Sequence, residues 1–314
     1  MPLFLLNCRT NGHQVLPLGE VVAPKDNPTT AEKIALGRKL FFDKRLSMDE
    51  TVSCATCHIP EYAFTDRKTV SEGIKGRKTQ RNSPSILNAG YLKTVMFDAH
   101  LATLEMQVIV PIQEHVEMDM KMLDLIKRLS EVPEYQKAAK EIFNRDFDAY
   151  VLTRSISAFE RSLISQNSRY DQYVKGKKNA LNADEKAGMA IFNNKLYCSG
   201  CHPAPHFTNY QAQNNGLYAE FGEDKGRFRI FNDSLDIGKF KVPSLRNIEL
   251  TYPYMHDGSM KDLDQVIDHY AAGGKKHVLQ DERITSFSLT EIERKQLKAF
   301  LFSLTDTSYM RSFR

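Results

Sequence analysis

Two short segments of the chain carry the same set of reactive side chains: Cys54-Ala-Thr-Cys57-His58 and Cys198-Ser-Gly-Cys201-His202. A Cys-x-x-Cys pair followed directly by histidine is the spacing of c-type haem attachment, in which both thiols add across the vinyl groups of one porphyrin and the histidine reaches the iron from one side. Written twice, the device implies two covalent haem c groups, one held by Cys54, Cys57 and His58 and the other by Cys198, Cys201 and His202, and hence redox chemistry. Zinc sites and dithiol redox pairs also use Cys-x-x-Cys. A zinc ribbon, however, brings its two pairs within about 15–20 residues of each other. These lie more than a hundred residues apart, and a dithiol site has no need of the trailing histidine.

The rest of the composition bounds what surrounds the two sites. A chain of 314 residues that is 41% apolar is natural for two domains with real cores. Haem attachment uses four of the five cysteines and leaves Cys8, so no disulfide framework is available. The formal charge of +4 is offset by the propionates of two haems, which removes any whole-molecule argument for nucleic acid. No apolar run approaches the roughly 20 residues of a membrane span. The opening Met1-Pro-Leu-Phe-Leu-Leu-Asn-Cys8 is too short for a secretory signal. Covalent haem c attachment in bacteria takes place outside the cytoplasmic membrane, so the expectation is a periplasmic protein. Leu5-Leu6-Asn7-Cys8 resembles a lipoprotein cleavage site, with Asn7 out of pattern, which makes a lipid anchor on Cys8 the alternative to a disordered tail.

Helix signals dominate and strand signals are sparse. Apolar residues recur at helical spacing from Thr29 to Phe42 and from Asn182 to Phe192, each run opening on a capping residue with acid in its first turn. Both runs contain Gly-x-x-(Leu/Ile)-Phe, at Gly37 and Gly188, and both precede a haem motif, which is a weak internal repeat and argues for two related domains. Helices are also expected from Met118 to Leu129, Glu134 to Phe143, Phe147 to Ser165, Leu263 to Ala271 and Leu289 to Leu304, the last with the capping box Thr290-Glu-Ile-Glu293. The chain then divides into a tail or signal remnant over 1–18, an N-terminal domain over 19–180 and a C-terminal domain over 181–314, whose last helix is a candidate to pack on the N-terminal domain. The polar stretch Gln166 to Leu181 is the candidate linker, and the unpatterned stretch Pro203 to Pro243 is long enough to wrap the second haem.

From about Leu16 to Leu304 the chain resembles the bacterial di-haem cytochrome c peroxidases and their MauG-type relatives. The resemblance rests on several segments in order: Leu36-Gly-Arg-Lys-Leu-Phe-Phe-Asp43, Ser53 to His58, Arg81-Asn-Ser-Pro-Ser-Ile-Leu-Asn88, Leu104-Glu-Met-Gln107 through Pro111 to Glu117-Met118, Cys198 to His202, and Val242-Pro-Ser-Leu-Arg-Asn247 through Pro253-Tyr-Met-His-Asp-Gly258. It implies an all-α fold of two cytochrome c-like domains with long irregular loops. Peroxide would react at the N-terminal haem, and electrons from a small redox protein, a cytochrome c or a cupredoxin, would enter at the C-terminal haem. A calcium ion would sit between the domains. A homodimer is also implied, as members are often dimeric.

Residue by residue, the resemblance makes His58 and His202 the proximal iron ligands. Glu117, by its offset from Gln107 and Pro111, becomes the distal glutamate that moves a proton during O–O cleavage, with Gln107 beside it. On spacing alone Glu117 could equally be a helix-start carboxylate at the surface. Many relatives cap the peroxide face with a histidine in Ser-x-Gly-His. Here the segment is Ser71-Glu-Gly73-Ile74, which implies a face open at rest. Where relatives have Trp-Asp-Gly-Arg between the haems this chain has Phe97-Asp98-Ala99-His100, and it contains no tryptophan. His115 is a polar group either at the pocket mouth or on the surface. For the second axial ligand of the C-terminal haem, Met255, Met260, His269, Tyr270 and His277 are candidates. The resemblance places Tyr270 where the peroxidases have methionine and MauG-type enzymes have tyrosine. A tyrosinate favours ferric iron and suits sharing a highly oxidised state. Asn82, Thr251 and Pro253 match the family's calcium ligands. Three functions follow: a hydrogen peroxide reductase, a MauG-like enzyme that uses peroxide to oxidise a partner protein, and a plain di-haem electron carrier.

Overall fold

The computed structural model describes residues 17–313, so Cys8 and nearly all of the tail lie outside the described residues. The chain is mostly helical. One antiparallel pair, β1 (Ala212–Gln213) and β2 (Phe240–Lys241), is the only sheet among the described residues. The longer helices are α1 (Ala31–Phe41), α2 (Met122–Ser130), α3 (Pro133–Phe143), α4 (Ala149–Ser162), α5 (Ala183–Ala190), α6 (Leu263–Ala271) and α7 (Glu291–Phe302). No described helix is long and apolar enough to cross a membrane.

Two helix pairs organise two cores, and a glycine sets each pair's closeness. In α1, capped by Thr30, whose hydroxyl accepts from Lys33 N at 3.3 Å, a Cβ on Gly37 would lie 1.8 Å from the Ser155 carbonyl oxygen of α4. In α5, capped by the reciprocal Asn182–Glu185 bonds of 2.9 Å each, a Cβ on Gly188 would lie 1.9 Å from the Gln296 carbonyl oxygen of α7. No side chain fits at either crossing, so backbone meets backbone. Around the first pair cluster Leu40, Phe41, Phe64, Ile112, Leu129 and Ile156; around the second, Phe192, Phe207, Ile267, Phe300 and Leu304.

Two expectations are corrected and a third is filled in. The helix expected from Met118 starts at Met122, because Met118 and Met120 instead bond back to Pro111 O (3.2 Å) and Ile112 O (2.8 Å), with Asp119 at φ +49°. The stretch 166–181 is not an open linker. It holds a short helix, Arg169–Val174, with Tyr170 and Asp171 buried, and Asp171 accepts two bonds from the distant Arg246 at 2.8 and 3.0 Å. Ser168 and Asp171 turn inward, while Gln166, Asn167, Arg169, Lys175, Lys177 and Lys178 face solvent. The stretch 203–243 contains the β1–β2 pair and a short helix, Phe228–Phe231, and its residues wall a cavity.

Candidate active site

The first haem motif forms a short helical turn, Cys54–Cys57, closed by His58 N on Cys54 O at 2.9 Å. His58 Nδ1 lies 2.9 Å from Phe64 O. A carbonyl only accepts, so Nδ1 carries the ring proton and Nε2 keeps a free lone pair for a metal. Burial holds the ring below its ordinary pKa, which keeps it neutral. The second motif repeats this: His202 N bonds Cys198 O at 2.9 Å, and Nδ1 lies 3.0 Å from Phe207 O and 3.1 Å from Pro243 O. Burial again lowers its pKa. Each motif therefore pairs two thiols with a neutral imidazole oriented as an iron ligand, the donor set that haem c requires. The two cysteine pairs sit in different cores, so they cannot share one zinc ion.

A cavity of about 50 Å³ is bounded by Cys54, Cys57, His58, Gln107, Glu117 and Glu160, among others. Its wall near Glu117 is built by the tight packing of residues 71–74: Ile74 N donates to Glu117 O at 2.9 Å, and a Cβ on Gly73 would lie 2.1 Å from Val116 O. Ile74 itself is 0% exposed, in the core. Desolvation, helped by the nearby Glu114 charge, raises the half-buried Glu117 carboxyl to about 7. The structure thus brings Gln107 and Glu117 together with His58. His115 is at the surface, 66% exposed by side chain and 3.2 Å from Asp119.

A far larger cavity, about 520 Å³, is lined by Cys198, Cys201, His202, Met255 and Tyr270. Asn215 Nδ2 lies 3.5 Å from the Tyr270 hydroxyl and 3.4 Å from Met255 Sδ, and burial holds the phenol above its ordinary pKa. His269 is turned away, its Nε2 3.0 Å from Asn215 O, and His277 is held by Asn214 at 3.0 Å. Of the five ligand candidates, Met255 and Tyr270 line this cavity. Asn82, Thr251 and Pro253 line it too, with Asn82 Nδ2 donating to Pro253 O at 2.9 Å. Phe97 is on the same wall, its carbonyl accepting from Lys241 N at 2.7 Å.

Two cavity residues carried no sequence signal. Glu160 is 5% exposed on α4, and burial raises its carboxyl to about 8. Lys241 lines the larger cavity, where desolvation lowers its amine to about 8. Neither belongs to a motif, and only the helix pairing and the β1–β2 pair bring them to the cavities.

Residues 31–179 match the family model for di-haem cytochrome c peroxidase. The chain is 37% identical to the methylamine utilization protein MauG of Methylorubrum extorquens, over 90% of this chain and 80% of that protein. It is 34% identical to the cytochrome-c peroxidase IdrP1 of Pseudomonas sp., over 92% and 85%. Among solved structures, a MauG-like protein associated with microbial copper homeostasis superposes with a TM-score of 0.88 at 36% identity, covering 93% of this chain and 95% of that one. The di-haem peroxidase BthA of Burkholderia thailandensis shares the fold, with a TM-score of 0.78 at 20% identity, covering 94% of each. Kinship of this depth over nearly the whole chain, with both attachment motifs intact, makes this protein a member of the di-haem cytochrome c peroxidase family.

Proposed function

We propose that hydrogen peroxide is reduced at the His58 haem, with Glu117 as the proton-moving group and electrons arriving through the His202 haem. The observation that carries this is the Glu117 carboxyl, raised to about 7, in one cavity with Cys54, Cys57 and His58. When bound, the haem iron supplies the centre that ligates peroxide and exchanges its electrons. Overall, peroxide, two electrons and two protons give two waters. Glu117, near half ionised at neutral pH, takes the proton from the inner oxygen and returns it to the outer, leaving oxygen. Gln107 orients the bound peroxide by hydrogen bonding. Ile74, where a capping histidine would stand, offers no ligand atom, which supports a face open at rest.

A second reading is favoured by Tyr270. Its hydroxyl stands in the larger cavity with His202, and a His/Tyr pair suits an iron that shares oxidising equivalents rather than one that accepts electrons at high potential. The MauG-like outcome, oxidation of residues in a partner protein, follows from that ligation. The electron donor in the first reading is a small cytochrome c or cupredoxin. Asn82, Thr251 and Pro253 would supply one side-chain and two backbone oxygens to a calcium ion, with the Asn82 amide turned to present its oxygen. Haem attachment supports a periplasmic location.

Low-temperature EPR of the ferric holoprotein, before and after stoichiometric peroxide, tests the proposal. A high-spin signal beside a low-spin one unlike His/Met, both lost within seconds of peroxide, is expected. Two low-spin signals unmoved by peroxide would overturn the open face and leave either a peroxidase that must first be reduced or an electron carrier.

A further inference from the structure

Glu117 only moves a proton within the peroxide molecule. The two protons that turn its oxygens into water must come from outside, into a cavity whose remaining wall includes Val52, Val108, Pro111, Met118 and Ile156. One flank of that cavity is not apolar. Among the described residues, four of the eight buried side-chain atoms without a hydrogen-bond partner belong to α4: Arg154 Nε, Ser155 Oγ, Glu160 Oε2 and Arg161 Nη1. A fifth, Glu105 Oε2, belongs to the carboxylate packed against that helix. Buried polar atoms are rarely orphaned, and a local concentration of them marks ordered water.

Through their other polar atoms, Arg154, Glu105 and Arg161 join into a seam. Asp26, at the surface, pairs with Arg154 at 3.0 Å. Lys33 Nζ donates to Asn27 Oδ1 at 3.0 Å, and Asn27 Nδ2 donates to Glu105 Oε1 at 2.7 Å and to Ser157 Oγ at 3.1 Å. Ser157 Oγ and Arg161 Nη2 donate to the same Glu105 oxygen, at 2.9 and 2.7 Å. Arg154, Ser157 and Arg161 form one stripe of α4 at spacings of three and four. Glu160, next to Arg161, shares the adjoining stripe with Ile156, and both line the cavity.

We propose that this seam, from Asp26 and Lys33 through Glu105 and Arg161 to Glu160, is the water-bridged route that delivers protons to the peroxide cavity, with Glu160 as its last group. The two carboxyls divide the labour by their contacts. Glu105, with three bonds on one oxygen, is held below its ordinary pKa and stays ionised, whereas Glu160 is raised to about 8 and holds a proton to give at neutral pH. Electrons come from the donor protein, so each turnover consumes two protons from this route and releases two waters. The inference rests on peroxide reduction at the His58 haem.

The test is Glu160→Gln in the holoprotein, an isosteric change that removes the releasable proton. Steady-state peroxide turnover with a reduced donor should fall about tenfold or more, and its solvent deuterium isotope effect should rise. The first reaction of ferric enzyme with peroxide, which uses Glu117, should keep its rate. The infrared intensity of protonated buried carboxyls, shifted in deuterium oxide, should fall in the variant by the contribution of Glu160, leaving that of the half-protonated Glu117. Ser157→Ala, which leaves Glu160 in place and loosens the seam, should slow turnover in the same direction and serves if Glu160→Gln fails to mature. Unchanged turnover and isotope effect in a haem-loaded variant would overturn the route while leaving the peroxidase reading intact. A parent holoprotein that consumes no peroxide would overturn both.

Discussion

At the scale of single residues, environment divides the labour among like side chains. Glu117 and Glu160 line one cavity, and burial raises both, to about 7 and about 8. Glu105, close to Glu160, goes the other way because Arg161 and Asn27 bond it. Replacing Glu117 by glutamine should slow the reaction with peroxide about a hundredfold or more while leaving haem spectra intact. A stopped-flow comparison decides this, and an unchanged rate would take Glu117 out of the mechanism. The pH profile follows from the sign of the shift. Glu117 must be ionised to take the first proton, and its raised pKa leaves it protonated below about 7. The parent rate should therefore fall as pH drops through that value, and the fall should vanish in Glu117→Gln. Tyr270→Phe should alter the low-spin haem signal alone, as read by EPR; no change would pass the ligand role to Met255, its neighbour in the cavity. For calcium, elemental analysis of holoprotein should find about one equivalent, lost in Asn82→Ala.

At the scale of elements, the two crossings α1–α4 and α5–α7 repeat one solution. Gly37 and Gly188 let a helix backbone seat directly on its partner. An alanine methyl at either position must push the pair apart, costing about 1–3 kcal/mol by overpacking. Denaturant unfolding of Gly37→Ala and Gly188→Ala measures it, and each should disturb the haem spectrum of its own core first. This duplication could be read in the sequence, because the capping residue, helical period and glycine recur before each Cys-x-x-Cys-His. The haem ligands could be read for the same reason: their chemistry is local and their spacing rigid. What could not be read depends on distant partners. The buried Asp171 looks like linker polarity until Arg246 is found beside it. The residues after Met118 look helical until Pro111 and Ile112 claim their backbone donors. Glu160 follows the pattern of a helix face, and only the position of α4 against the first motif makes it a cavity residue.

At the scale of the molecule, the two cores meet through polar contacts. Asn88 and Asn247, both left-handed at φ +61°, each open a short helical turn and converge on the fully buried Ser165. Asn88 Nδ2 donates to Ser165 O at 2.9 Å, and Asn247 Nδ2 donates to Ser165 Oγ at 2.8 Å. Arg67 adds a second tie, its guanidinium 4.3 Å from the Tyr62 ring and 4.7 Å from the Tyr252 ring. The segment Ser308–Phe313 then returns to the first core, where Tyr309 OH donates to Pro60 O at 3.1 Å and the Phe313 ring lies 5.3 Å from Phe64. Tyr309→Ala should cost about 3 kcal/mol and lower the thermal midpoint of the first haem's spectrum more than the second's; equal shifts would mean the two cores melt as one unit.

That returning segment sets an order of manufacture. A polypeptide is made from its N-terminus, so Cys54, Cys57 and His58 exist long before Tyr309 and Phe313, which pack on the same core. Until the chain is complete, the first core lacks Tyr309 and Phe313. The second half, with its own motif, must be synthesised before residues 308–313 can dock. The core encoded first is thus the one completed last, after the whole of its twin has been made.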